Sequence, residues 1–416
     1  MKIVHVIQRY PPAIGGSEQW CQQISRFLVK QGHRVKVLTM RIYHEEEFPN
    51  DISPKLRKGC MGSLDEDHGV IIHRYKRTRI SGWFYQVILK RYLDEALKIY
   101  FYGPHSISMY LDMPRQIWDA DIVYLHGIPY PHNLVGFIWA KILRKKVVIT
   151  PHFHPGHDYY ERDCHYWLMK HCDAILVTTQ LEKDHLSRKG IPEGKLFVFG
   201  CFIDPCEYQP SHLDQFEKEF NCKFHVGVAE KIVTFIGRRV PYKGIDHLIQ
   251  AVSELNRSGQ KVRLLLIGPS LQWFDDLYRS LPSEERQYIV DMGIVTHQEK
   301  VNLLHLTDVA ALPSEHESFG IVFLEAWACG IPIIGTQQGA VSQLVNGSGK
   351  LVPYGDVTRL KEAITYLTNN ANEASNMAQK GKEKLMTRYT IDIMGKAILE
   401  VLQNVVMSDQ NERTPR

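Results

Sequence analysis

Pro313-Ser-Glu-His-Glu-Ser-Phe-Gly-Ile-Val-Phe-Leu-Glu-Ala-Trp-Ala-Cys-Gly-Ile-Pro332 reads as a polar elbow followed by a short helix. The apolar residues Val309 to Leu312 lead into it as the end of a buried strand, and Gly330 and Pro332 stop the helix and launch the next strand. Glu317 stands in the elbow and Glu325 eight residues on. If all eight were helical they would advance by roughly 12 Å, so the two acids are expected to hold opposite ends of one elongated ligand rather than each other. Between them the amides of Phe319, Gly320 and Ile321 fall at a helix N-terminus, where unpaired N–H groups and the helix dipole favour an anion. An acid, a phosphate-sized nest and a second acid in that order suggest a nucleotide-sugar cradle.

This segment resembles the donor motif of the retaining glycosyltransferases of family 4, Glu-x7-Glu with Ser-Phe-Gly inside it. The resemblance covers the proline, both acids, the glycine and the closing Gly-Ile-Pro. It implies that Glu325 binds the ribose hydroxyls and that Glu317 lies beside the transferred sugar. Donor contacts are then expected from Ser318, Phe319, Gly320 and Ile321.

Upstream, Ile232–Ile236 reads as the first strand of the same domain, followed by Gly237-Arg-Arg-Val-Pro-Tyr-Lys-Gly244. Sugar transfer from a nucleotide builds negative charge on the leaving diphosphate, and two fixed cations aimed there stabilise the transition state. Arg238 and Lys243 are assigned that role, with the neighbouring Arg239 pointing elsewhere. Gly-Arg-x-x-x-x-Lys-Gly also matches the family's phosphate-binding loop.

The N-terminal half opens with the strand Lys2–Gln8, a loop containing Gly15 and Gly16, a helix marked by Trp20, Ile24, Phe27 and Leu28, and the strand Arg34–Thr39. That order makes a parallel βαβ unit. The two glycines sit at the usual ligand edge of such a sheet, and the resemblance implies that they approach the diphosphate or the acceptor. Four further strands are expected, Asp121–Leu125, Lys146–Thr150, Ala174–Thr178 and Lys195–Phe199, and the first two end on histidines. Thr150-Pro-His152 aligns with the family's Thr-x-His, which places His152 at the transferred sugar; His154 remains an alternative, and His126 ends a neighbouring strand on the possible acceptor side. Near the linker, Cys201-Phe-Ile-Asp204 keeps only the aspartate of the family's usual Asn-Gly-Val-Asp. His154, His157, Cys164, His165, His171 and Cys172 lack the paired spacing of a zinc site, and no Asp-x-Asp motif ends a strand, so no metal and no cofactor beyond the donor substrate are expected.

A chain of 416 residues is too long for one core. Scattered cysteines fit reduced thiols in a cytoplasm better than a disulfide framework, the opening residues read as a strand rather than a signal peptide, and no run is long enough to span a membrane. A formal net charge of +4 gives no sign of a nucleic-acid partner. Residues 44–82 read as polar and irregular, with Asp65-Glu-Asp67 as solvated loop charges. The basic, aromatic region 74–102, from Arg74 through Trp83 to Tyr102, offers a weak signal for peripheral contact with the inner face of a membrane.

The expected architecture is α/β. An N-terminal acceptor-side Rossmann-like domain (1–204) and a C-terminal nucleotide-sugar-binding one (205–388) are both doubly wound and face each other across a cleft, as in the GT-B fold. A helix (389–407) crosses back to the first domain, and a flexible tail (408–416) follows. The expected function is metal-independent transfer of a hexose, with retention, from a nucleotide diphosphate sugar to a hydroxyl acceptor: glycan, lipid-linked glycan or small metabolite. A disaccharide phosphorylase of the same fold and a non-catalytic sugar- or nucleotide-binding subunit are the alternatives.

Overall fold

The computed structural model describes residues 1–13, 15–42, 63–78, 103–128, 130–153, 160–227 and 229–413. Contacts divide it into two compact units, Met1–Cys201 with Ile391–Arg416, and Phe202–Thr390.

In the first unit the strands are β1 (Lys2–Val6), β2 (Arg34–Met40), β3 (Leu64–Asp67), β4 (Val70–Tyr75), β5 (Ile122–His126), β6 (Lys146–Thr150), β7 (Ala174–Val177) and β8 (Leu196–Val198). They form one sheet in the order β3-β4-β2-β1-β5-β6-β7-β8, parallel except for the β3–β4 pair. The inner strands are runs of Val, Ile and Leu because helices cover both faces. Helices α2 (Ile107–Ile117), α3 (Pro131–Ile142), α4 (Asp163–Lys170) and α5 (Gln180–Arg188) supply one layer, in which Met113, Phe137 and Met169 share a core with Val6 and Ile149. Helix α1 (Gly16–Lys30) packs against the last helix, α14 (Ile391–Arg413).

The second unit contains β9 (Lys231–Ile236), β10 (Val262–Ile267), β11 (Ile289–Gly293), β12 (Val309–Ala311), β13 (Ile333–Thr336) and β14 (Lys350–Val352). Its sheet runs β11-β10-β9-β12-β13-β14. The helices longer than one turn are α6 (Leu213–Phe224), α7 (Ile245–Arg257), α8 (Gln272–Ser280), α9 (His297–His305), α10 (Ile321–Ala328), α11 (Gly339–Val345), α12 (Val357–Asn369) and α13 (Ala371–Arg388).

Strand order reverses between β1 and β5 in the first sheet and between β9 and β12 in the second. In an open parallel sheet the crevice beyond the strand ends at such a reversal is where ligands bind. The loops after β9 and β12, which carry the two motifs singled out in the sequence, therefore leave the second sheet side by side.

Four expectations need correction. Residues 64–75 form the hairpin β3–β4 rather than loop, so Asp65-Glu-Asp67 does end a strand, against the expectation that no Asp-x-Asp motif would; Asp67 is half-buried under Tyr10, Gln22 and Arg26, whose guanidinium lies 2.6 Å away. Arg74, counted as a membrane-facing cation, is buried and donates to the carbonyl of Pro11 at 2.6 Å and to Asp65. Of the acids read as solvated, Asp65 and Asp67 pair with arginines across this edge of the sheet, while Glu66 is exposed. Finally, α14 runs past the end expected at 407 as far as Arg413, since the polar run Ser-Asp-Gln-Asn-Glu-Arg contains no Gly or Pro to stop a helix already formed.

Candidate active site

Glycine opens the central element. Gly320 takes φ 90°, the left-handed conformation that glycine adopts without penalty, and caps α10. Phe319 is buried against Tyr389 with ring centroids 5.5 Å apart, so the elbow is pinned from below. Among the described residues no acceptor is recorded for the amides of Phe319, Gly320 and Ile321. The helix begins only at Ile321, so Glu317 belongs to the elbow and the eight intervening residues are not one continuous helix. The expected 12 Å rise along a helix axis is therefore the wrong measure of the separation, although each acid does have its own cation.

Glu317 accepts from Lys243 Nζ at 2.5 Å and from Ser314 Oγ at 3.1 Å. Lysine and glutamate are both largely shielded, with side chains 14% and 16% exposed. This pair bridges the two strand-end loops, which also share a backbone bond from the Glu315 amide to the Tyr242 carbonyl at 2.7 Å. Gly244 makes the approach feasible: it has φ 65°, and a Cβ there would lie 2.3 Å from the Pro313 carbonyl oxygen. Arg238 is exposed and donates to the Tyr242 hydroxyl at 3.1 Å. Arg239 turns inward instead, buried over the Phe274 ring and clamped to Asp291.

Glu325 is only 2% exposed. Its Oε1 accepts from Lys300 Nζ at 2.7 Å and from the Tyr208 hydroxyl at 2.9 Å. Lys300 comes from α9, whose start is fixed by a capping box between Thr296 and Glu299. Tyr208 ends a 3₁₀ turn, Pro205–Tyr208, that Asp204 caps by accepting from the Cys206 amide at 2.9 Å. The aspartate retained in the linker thus sets the turn that delivers Tyr208. Lys300 and Tyr208 escaped the sequence reading, since neither lies at a fixed spacing from the acid it holds.

In the first unit Gly15 caps α1, and the room above it is filled. Glu18 is buried with Arg9 at 2.7 Å, and a Cβ on Gly15 would meet the Glu18 carboxylate at 2.1 Å. Among the described residues, and apart from its chain neighbours and its own helix backbone, nothing lies within 4 Å of a Cβ built on Gly16. His152 is half-buried in the left-handed region at φ 47°, edge-on to Trp20 with centroids 6.0 Å apart. His154 and His157 lie outside the described residues. The loop carrying His152 is anchored by Glu182, fully buried, which accepts from the Phe153 amide at 3.0 Å and from the Thr178 amide at 2.7 Å. Burial pushes its carboxyl up to about 7, against the pull of those donors.

His126 is fully buried rather than presented at an acceptor-facing surface. Its Nε2 lies 2.7 Å from His5 Nδ1, and its ring stacks on Tyr124 at 4.5 Å. Burial drives its pKa well down, helped by the neighbouring histidines. Donor atoms of His5, Cys21 and His126 come within 4.8 Å of one another, a cluster hidden from any spacing rule because it joins two strands and a helix. The two imidazoles stand at hydrogen-bond distance, closer than the edge of about 3.3 Å that zinc with nitrogen ligands near 2.0 Å requires. Among the described residues Cys164, His165, His171 and Cys172 do not assemble into a ligand set.

The arrangement in the second unit offers two cations, a helix N-terminus and two acids around one switch point. Residues 14–207 match the profile described as Glycosyltransferase Family 4, and residues 218–384 match Glycosyl transferases group 1. N-acetyl-alpha-D-glucosaminyl L-malate synthase of Bacillus anthracis is 21% identical over 412 residues, covering 96% of this chain and 97% of that one. An uncharacterized glycosyltransferase of Methanocaldococcus jannaschii is 25% identical over 83% of each chain. Among solved structures, Anabaena HepE in complex with UDP and glucose superposes with a TM-score of 0.73 at 17% identity, covering 97% of this chain and all of that one. Sucrose-phosphate synthase of Thermosynechococcus elongatus gives 0.71 at 18%, over 98% and 99%. With two matched profiles running through both α/β units and GT-B enzymes as structural neighbours, the chain belongs to the family 4 glycosyltransferases.

Proposed function

We propose that the protein transfers a hexose from a nucleotide diphosphate sugar to a hydroxyl acceptor with retention at the anomeric carbon, without a divalent cation. The observation that supports this reading most strongly is the Lys243–Glu317 contact, 2.5 Å long, which joins the two loops leaving adjacent strand ends. A diphosphate lying against these loops would meet Lys243, exposed Arg238 and the amides of 319–321, so charge arising on the leaving group is met by groups already in place. Glu317, held by Lys243 and Ser314, is assigned to the sugar. Glu325, oriented by Lys300 and Tyr208, is assigned to the ribose, where a carboxylate accepts from two hydroxyls. His152 and Gly16, at strand ends of the first unit, are assigned to the sugar and acceptor side.

The test is to incubate the enzyme with UDP-, GDP- and ADP-hexoses and a panel of glycan, lipid-linked and small-molecule acceptors. The anomeric configuration of the product is then read by proton NMR, with and without EDTA. An α-linked product from an α-linked donor, formed equally fast in chelator, is expected. An inverted product, or loss of activity in EDTA restored by a divalent ion, contradicts the proposal. Phosphate-dependent sugar release without nucleotide would replace it by a phosphorylase.

A further inference from the structure

The helical layer over the first sheet leaves large apolar side chains in solvent. On α2, Leu111 is 74% exposed, and Trp118 at its C-terminus 69%. Seven residues apart, they share one helix face. On the adjacent α3, Ile138 and Ile142, one turn apart, are 44% and 61% exposed. The two helices pack together, with the Trp139 indole N–H donating to the Tyr110 carbonyl at 3.1 Å, and both bury their opposite faces in the same core. Strands β5 and β6 start in register, Ile122 beside Lys146. Trp118 and Ile142 each precede those partners by four residues, so the exposed side chains end together at the edge where the two strands begin.

Cations frame that edge. The segment from Pro131 to Lys146 has four, Lys141, Arg144, Lys145 and Lys146, and no acid. Lys141 and Lys146 lie 3.3 and 3.6 Å from Asp173, and Asp119, beside Trp118, lies 3.2 Å from Lys2. Arg144 is exposed and Lys145 half-buried, and among the described residues neither pairs with a carboxylate. An apolar face ending in tryptophan and bordered by unpaired cations has the chemistry of a surface that rests in a lipid headgroup layer.

We propose that the outer face of α2 and α3 docks the protein peripherally on an anionic membrane, with Trp118 and Ile142 entering the headgroup region and Arg144 and Lys145 on lipid phosphates. A protein partner would leave the excess positive charge unexplained unless it were itself acidic. This face is distinct from the region 79–102, which lies outside the described residues. Within the first unit it ends where β5 and β6 begin, whereas Gly16 and His152 lie at the opposite, carboxyl ends of strands.

Co-sedimentation of the full chain with vesicles of phosphatidylcholine, or of phosphatidylcholine with 30% phosphatidylglycerol, tests it. Binding to the anionic vesicles is expected, at least tenfold weaker for the neutral ones and in 0.5 M NaCl. The doubly substituted Trp118→Ser/Ile142→Ser and Arg144→Glu/Lys145→Glu proteins should each lose at least tenfold while keeping the wild-type melting temperature. Undiminished binding by both variants assigns the contact elsewhere and overturns the proposal, as does wild-type protein that stays in solution with both vesicle types. A concentration-dependent dimer abolished by Trp118→Ser/Ile142→Ser would instead make this face a contact between copies.

Discussion

Glu325, assigned above to the ribose, is held in place by two donors at 2.7 and 2.9 Å, and its burial gives it a structural role whatever it binds. Glu325→Ala should therefore cost about 3 kcal/mol in urea denaturation, since it strands the Lys300 ammonium in a largely shielded site. Glu325→Gln keeps the shape and one acceptor, so it should lose much less stability while still weakening donor binding at least tenfold. Equal stability losses for the two variants would remove the buried-pair argument. Arg238 is the opposite case. Exposed, with a hydrogen bond to Tyr242, it should tolerate Arg238→Ala within about 0.5 kcal/mol of stability, yet turnover should fall about 10²–10³-fold. Stopped-time product assays at saturating donor decide this, and unchanged turnover would count against electrostatic stabilisation by that guanidinium. The sequence reading proposed Arg238, Lys243, Glu317 and Glu325, because each lies in a contiguous motif. It missed Lys300 and Tyr208, which reach Glu325 only through folding, from 25 and 117 residues away.

At the level of elements, the critical feature is how two loops touch. Gly244 lets the loop after β9 press on Pro313 at the end of β12, and Gly244→Ala would impose both a left-handed alanine and a carbonyl clash. The loops must then separate, weakening the Lys243–Glu317 contact without altering either charge. Gly244→Ala should lower turnover at least tenfold while circular dichroism stays native, whereas native turnover would show that the contact between the loops is not required. Strands and helices with strong apolar periodicity, such as β9 and α1, were legible because burial imposes the pattern directly. The β3–β4 hairpin was not. Its edge strand Leu64-Asp-Glu-Asp67 has three acids and one leucine, and what makes it a strand is pairing with β4 and the ionic contacts of Arg26 and Arg74.

For the molecule as a whole, the buried titratable groups set opposing pH dependences. Burial holds His5 and His132 down to about 3 and His165 down to about 4, so they stay neutral in the folded state below the ordinary value of 6.5. The unfolded chain takes up these protons first, so the stability from neutral histidines is full above about pH 6.5 and drains away as pH falls toward 4. Glu182 acts the other way: with its carboxyl raised from 4.5 to about 7, ionising it costs the folded state more as pH rises through that window. Relative to wild type, Glu182→Gln should therefore show a steeper loss of melting temperature on going from pH 7.5 to 5. A curve parallel to wild type would mean that Glu182 titrates normally. The fold class was readable from strand–helix alternation, whereas the histidine cluster behind β1 and β5 was not, because residues at the ends of separate strands meet only once the sheet has ordered them. The central claim is that Arg238, Lys243 and Glu325 grip a nucleoside diphosphate. Isothermal titration of UDP, GDP and ADP into wild type, Arg238→Ala and Glu325→Gln tests it most directly: one nucleotide should bind, at least tenfold more weakly to each variant, whereas no binding of any of the three, or equal affinity in all proteins, would contradict it.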